Sequence, residues 1–72
     1  PIFPVGAIVE LHNGEIGVVI AHNPGLRLLP RVMVLLDSQK RPVKPAKTIE
    51  KASIKRTLEQ GSVPIDTSEL FL

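Results

Sequence analysis

Residues 7–22 read Ala-Ile-Val-Glu-Leu-His-Asn-Gly-Glu-Ile-Gly-Val-Val-Ile-Ala-His and place an Asn-Gly pair between two β-rich runs. Asn-Gly favours the positive φ angles of a two-residue type I′ turn, so the stretch predicts a β-hairpin with strands at 7–12 and 15–22. A two-residue turn also sets the register, because it makes residues 12 and 15 neighbours. The apolar pairs expected on one face of the ribbon are Leu11/Ile16, Val9/Val18 and Ala7/Ile20.

The remaining chain predicts further short strands separated by turns. Gly17 interrupts the second strand, which indicates a bulge, a bend or a close backbone approach. Asn23-Pro24-Gly25 is typical of a turn, and 26–30 then leads into a third strand at 31–37. The Pro-rich, basic segment 38–47 favours an exposed loop. Residues 48–60 allow a helix, but we favour two strands at 48–51 and 53–58.

The fold expected from these elements is all-β, a small five-stranded SH3-like or OB-like barrel. Asp66 with Glu69 three residues later resembles a capping box, so a short C-terminal helical turn is predicted there. The 72 residues fit one small module. Because the chain opens with Pro1 rather than Met, we interpret it as a fragment of a larger protein or a processed chain.

Composition excludes several kinds of chemistry. The chain has no cysteine, hence no disulfide and no thiolate nucleophile, which fits a reducing compartment, and we expect a cytoplasmic protein. No apolar run is long enough to cross a membrane. The two histidines fall at opposite ends of the predicted hairpin, about 23 Å apart, so they cannot share a metal ion. His12 is expected to make a surface contact with Glu15 instead.

The acids and serines form no recognisable catalytic arrangement. No serine lies in a Gly-x-Ser-x-Gly elbow or near a histidine in sequence, and the seven acids are scattered. We therefore expect no catalysis by this chain alone, and no cofactor or metal in it.

Basic residues concentrate between 27 and 47, where the only acid is Asp37. Such a patch usually just keeps a loop solvated, but it can also contact nucleic acid. Nucleic-acid binding is thus an alternative function, although stacking recognition is disfavoured because the only aromatics are Phe3 and Phe71. The candidate residues of this patch are Arg27, Arg31, Lys40, Arg41 and Lys44.

A second candidate surface is apolar. In the predicted register part of the sheet is apolar on both faces, which is unusual for a small antiparallel sheet. Either loops and the C-terminal tail cover the outer face, or that face docks on a parent domain or a second copy. The residues expected on this docking face are Ile8, Val19, Met33 and Leu35.

Residues 4–19, Pro-Val-Gly-Ala-Ile-Val-Glu-Leu-His-Asn-Gly-Glu-Ile-Gly-Val-Val, closely resemble a run found after the catalytic core of bacterial HD-GYP phosphodiesterases. In that family the run reads Tyr-Pro-Val-Gly, a hydrophobic strand, Asn/Asp-Gly, then Glu-x-Gly-Val-Val, and Phe3 stands where the family often has Tyr. Asn23-Pro24, the strand ending at Asp37 and Ile65-Asp66 are also similar, whereas 40–51 is only loosely so.

The resemblance implies a non-catalytic C-terminal accessory module. HD-GYP proteins hydrolyse the signalling nucleotide cyclic di-GMP at a metal centre on an HD domain. This chain has no His-Asp pair and no Gly-Tyr-Pro motif, so no catalytic or metal-binding residue of the family can be assigned here. The partners it implies are the parent HD domain or a second subunit. Since the family acts on cyclic di-GMP, a cyclic di-GMP sensor that uses Arg27 and Arg31 is a third alternative function.

Overall fold

The computed structural model describes residues 3–63, which form one antiparallel sheet. Its strands are β1 (Ile8–Leu11), β2 (Ile16–Asn23), β3 (Leu26–Leu36), β4 (Pro42–Ile49) and β5 (Ile54–Leu58). The strand order is β4-β3-β2-β1-β5, with β2 in the centre. The all-β, SH3-like class is confirmed, although the sheet is not closed. The helical turn predicted to start at Asp66 lies outside the described residues.

The β1–β2 turn has three residues, so the predicted two-residue turn is wrong. The Leu11 amide donates to the Glu15 carbonyl at 2.8 Å, and the Gly14 amide donates to the Leu11 carbonyl at 3.0 Å. Gly14 has a φ of 92°, whereas Asn13 stays outside the positive-φ region. Instead, the Asn13 side chain accepts the Glu15 amide at 2.9 Å and orders the turn from within.

The extra turn residue shifts the register by one position. Val9 pairs with Gly17, and Ile8 pairs with Val18, in place of the predicted pairing of Val9 with Val18. The apolar pattern did not prevent this shift, because both faces of β1 and β2 are apolar and either register buries a hydrophobic set.

Two clusters of buried side chains lie on opposite faces of the sheet. Ile8 and Val9 belong to different clusters, and successive residues of a strand point to opposite faces. Members of the first cluster are Val9, Leu11, Val19, Val32, Val34 and Ala52. Members of the second cluster are Ile8, Ile16, Leu36 and Val63. Since Val63 follows β5, the chain itself covers part of the second face.

Gly17 lies where β2 and β3 come very close together. A Cβ atom at this position would lie 2.3 Å from the Met33 carbonyl oxygen and 2.8 Å from a Val32 methyl group. The β2–β3 register also shifts between Ile16 and Gly17. The bulge or close approach predicted from this glycine is therefore confirmed, and no larger residue fits.

The second half of the chain contains more strand than the sequence predicted. β4 occupies Pro42–Ile49, most of which was expected to be a loop, and β3 begins at Leu26 rather than at residue 31. β4 is an edge strand, where Pro42 and Pro45 need not donate a hydrogen bond outward. β5 lies close to the predicted span 53–58, so the helical alternative for 48–60 is wrong.

Candidate docking site at the β2–β3 hairpin

The tip of the β2–β3 hairpin exposes large apolar side chains. The turn at Pro24 and Gly25 was predicted from composition, and Gly25 has a φ of 75°. Just after it, Leu26 is 37% exposed and Leu28 is 60% exposed. Few exposed hydrophobic side chains of this size occur within residues 3–63, so this tip is a candidate for contact with another surface.

Side-chain hydrogen bonds tether the tip to the rest of the domain. The Asn23 amide nitrogen donates to the Leu29 carbonyl at 2.7 Å and to the Glu50 carbonyl at 2.6 Å. On the other side, His22 Nε2 donates to the Phe3 carbonyl oxygen at 2.7 Å. The hairpin is thus joined both to the β4–β5 connection and to the segment before β1. A tethered tip loses little conformational entropy on docking.

We expect Asn23→Ala to destabilise the 72-residue chain by about 2 kcal/mol, because two hydrogen bonds of about 1 kcal/mol each are lost and both carbonyls lose their donor. Urea unfolding followed by circular dichroism measures this change. The control is Gln39→Ala, since only the backbone of Gln39 takes part in the β3–β4 turn. Equal unfolding midpoints for the two variants would contradict the tethering role.

A cleft of about 360 Å³ lies beside the tip. The residues that line it are His22, Asn23, Pro24, Gly25 and Arg27. Arg27 is exposed and lines this cleft, whereas Leu26 and Leu28 are not among its lining residues. The tip therefore has an apolar side and a basic side, as alternating side chains on a strand require.

The four residues of the predicted docking face do not share an exposed surface. Ile8 and Val19 are buried in different clusters on opposite faces of the sheet, which follows from the corrected register. Met33 and Leu35 are half-buried on β3. The expected position of the face was thus wrong for Ile8 and Val19, and docking through Met33 and Leu35 stays a prediction.

The predicted basic patch is divided between two ends of the sheet. Lys40 and Arg41 lie in the β3–β4 turn and Lys44 at the start of β4, close to where Leu36 pairs with Pro42. Arg27 lies nine residues from Leu36 along β3, roughly 30 Å at the rise of a strand. Arg31 lies between them and donates to Glu50 at 2.8 Å. These residues therefore do not form one continuous basic surface.

Two further ion pairs involve basic residues of the edge strands. Lys47 on β4 contacts Glu15 at 2.7 Å, and Arg56 on β5 donates to Glu10. Glu15 thus pairs with Lys47 and Asn13, and the predicted contact between His12 and Glu15 is wrong because His12 lies in the turn. The first ion pair connects β4 to the β1–β2 turn, and the second connects β5 to β1.

Hydrogen bonds lower the pKa of three carboxyl groups. The Arg56 side chain lowers the pKa of Glu10, and the Lys47 side chain lowers that of Glu15. Asp37 accepts the backbone amides of Arg41 and Gln39 in the β3–β4 turn, and the bond from Arg41 is the main reason that its pKa is lowered. All three groups are thus held in their charged form in the folded state.

We expect the chain to lose stability in acid. A lowered carboxyl pKa means that the unfolded state binds more protons, so the stabilisation is complete above the ordinary values of 4.5 for glutamate and 3.8 for aspartate. It is lost as the pH falls through the lowered values. Urea midpoints at pH 7 and pH 3 measure the loss, which Glu15→Gln should reduce. A midpoint that is equal or higher at pH 3 would contradict this account.

Within residues 3–63, no group of three His, Cys, Asp or Glu side chains could hold a metal ion. The same part of the chain contains no helix that could cross a membrane.

The exposed tip leucines were missed by the sequence reasoning. Residues 26–30, Leu-Arg-Leu-Leu-Pro, were interpreted as a lead-in to the third strand, whereas the structure includes them in β3. The available signal was the short distance to the Asn23-Pro24-Gly25 turn. Apolar residues directly beside a hairpin turn can extend past the core.

A five-stranded antiparallel sheet of this size and order defines the class of small SH3-like β modules. Within that class, the chain belongs to the family described as the KOW domain associated with HD domain, which matches residues 8–58. The match runs from the first residue of β1 to the last residue of β5. No curated protein and no solved structure matches the chain.

Membership in this family confirms that the chain is an accessory segment of HD-domain proteins. Such an accessory domain is not itself the catalytic unit.

Proposed function

We propose that this chain is the non-catalytic C-terminal module of an HD-GYP-like cyclic di-GMP phosphodiesterase and docks on its HD domain. The single observation that carries the docking is the exposed leucine pair at the β2–β3 tip in a chain whose family is associated with an HD domain. The resemblance of residues 4–19 to the tail of HD-GYP proteins supports the kind of parent enzyme.

The tip fits docking better than the two edges of the sheet do. β4 carries Pro42, Pro45 and two lysines along its edge, and these residues oppose pairing with another strand. β5 is only five residues long, and its register with β1 shifts next to Lys55. A short and irregular edge strand is a poor site for pairing with another strand. Contact through side chains at the tip is therefore the favoured mode.

Docking is tested by the reactivity of a cysteine placed at the tip. Because the 72 residues contain no cysteine, Leu28→Cys adds one thiol to the module of the full-length HD-domain protein. We expect a maleimide to label it about tenfold or more slowly than an exposed thiol, because only the undocked state reacts. Subtracting the labelling of the unsubstituted protein removes the contribution of cysteines elsewhere in the full-length protein.

The matched control is Lys55→Cys, a second exposed strand position far from the tip in sequence. It should label at the rate of a free thiol. Labelling of Leu28→Cys at the same rate as Lys55→Cys would contradict docking through the tip.

The enzymatic part of the proposal has a separate test. We expect the full-length protein to hydrolyse cyclic di-GMP in a metal-dependent reaction, while the 72-residue chain alone does not. If the full-length protein left cyclic di-GMP intact but hydrolysed another phosphate ester, the docking proposal would stand with a different HD-domain parent.

No observation favours the two alternative functions. A nucleic-acid surface or a cyclic di-GMP sensor would need both arginines available, but Arg31 is already bonded to Glu50. Within residues 3–63 the only Phe, Tyr or Trp is Phe3, which is half-buried, so none of these large rings is exposed for base stacking.

A further inference from the structure

We propose that the β2–β3 tip inserts into a groove of the HD domain with one apolar wall and one wall that carries a carboxylate. This inference rests on the proposed function and adds the chemistry of the receiving surface. It follows from the two sides of the tip, of which one presents Leu26 and Leu28 and the other presents Arg27.

The charge balance of the described residues leaves cations in excess. All nine basic side chains lie within residues 3–63, but only five of the seven acids do, which gives a net charge of +4 for this part. Three of these acids are engaged by basic partners, namely Glu10, Glu15 and Glu50. Asp37 accepts backbone amides. Arg27 forms an ion pair with none of the acids in the described part of the chain.

Arg27 is also the group in the cleft with donors to spare. Asn23 already donates to two carbonyl oxygens, and His22 Nε2 is bonded to Phe3. Arg27 lines the same cleft of about 360 Å³, and a guanidinium group offers a planar fork of donors that matches a carboxylate. A cleft of this volume has room for an aspartate or glutamate side chain.

The apolar side of the tip decides which class of anionic partner fits. Leu28 is 60% exposed, and Leu26 is the next residue but one on the same strand. By alternation both leucines point away from the side that carries Arg27. A phosphate backbone would satisfy the arginine but would leave the leucines in water. A protein groove covers both sides of the tip, which is why we infer a protein carboxylate.

The experiment measures maleimide labelling of Leu28→Cys in the full-length protein, with and without Arg27→Gln. We expect Arg27→Gln to raise the labelling rate roughly tenfold, because it removes the charge-assisted contact that holds the docked state. Raising the salt concentration should speed labelling of Leu28→Cys when Arg27 is retained, but should have much less effect when Arg27→Gln is also present. The matched control is Arg31→Gln, since Arg31 is on the same strand but already pairs with Glu50.

The outcomes separate this inference from the docking proposal. Fast labelling of Leu28→Cys alone would overturn docking, and the inference with it. If Leu28→Cys labels slowly and Arg27→Gln does not change that rate, docking stands, and only the inference that the groove carries a carboxylate is overturned. If Leu28→Cys is protected from maleimide only when a short oligonucleotide is added, the tip binds nucleic acid, and the inference of a protein groove is overturned.

Discussion

Replacing Gly17 with alanine is expected to destabilise the 72-residue chain by about 3 kcal/mol or more. The added methyl group would lie 2.3 Å from the Met33 carbonyl oxygen, a backbone atom that can move only if β3 moves. Overpacking of a tight core usually costs about 1–3 kcal/mol, and a clash with backbone in the central strand falls at the upper end. A domain of this size has roughly 5 kcal/mol to lose, so the variant should retain about 2 kcal/mol or less and unfold at a clearly lower urea concentration.

Urea unfolding measures this effect, and Gly25→Asn is its matched control. Gly25 has a φ of 75°, which asparagine tolerates, and a Cβ there would meet no atom within 4 Å. We expect the control to cost less than about 1 kcal/mol. Equal midpoints for Gly17→Ala and the unsubstituted chain would mean that β2 and β3 do not approach this closely.

Replacing Ile8 with alanine is expected to cost about 3 kcal/mol, because Ile8 packs in the second cluster and is only 3% exposed. The same truncation at Leu28, which is 60% exposed, should cost less than about 0.5 kcal/mol in the 72-residue chain. The contrast separates side chains that hold the fold from those available for docking.

Both variants are measured in the 72-residue chain by urea unfolding. A cost below about 1 kcal/mol for Ile8→Ala would indicate that the second face is open to solvent and that Val63 does not cover it.

The sequence predicted the all-β class and most of the strands, because turn residues and β-branched runs act locally. Gly17 predicted a bulge or a close approach of two strands, and the structure shows that no other residue type fits there. Asn13-Gly14 predicted a turn, but this pair occurs in both two-residue and three-residue turns. The predicted β1–β2 register was therefore off by one residue. Only long-range packing could decide it, because both faces of the ribbon are apolar.

The candidate site was predicted only in part. Arg27 was named from the charge pattern, but the division of that pattern between two ends of the sheet depends on how β3 and β4 pair. The prolines of β4 looked like loop residues because a sequence does not show which strand will be at an edge. For Leu28 the only local signal is its short distance to the Asn23-Pro24-Gly25 turn, which does not by itself show that its side chain is exposed. Whether it is covered depends on where the core ends in three dimensions.

The central claim is that the β2–β3 tip contacts the HD domain, and amide hydrogen exchange of the full-length protein tests it most directly. The comparison is between the unsubstituted protein and Leu28→Glu, with Thr57→Glu on the exposed face of β5 as control. The account predicts that Leu28→Glu speeds exchange about tenfold or more in residues 22–29 and in one patch of the HD domain, while the control changes neither. Identical exchange of residues 22–29 in the unsubstituted protein and Leu28→Glu would contradict it.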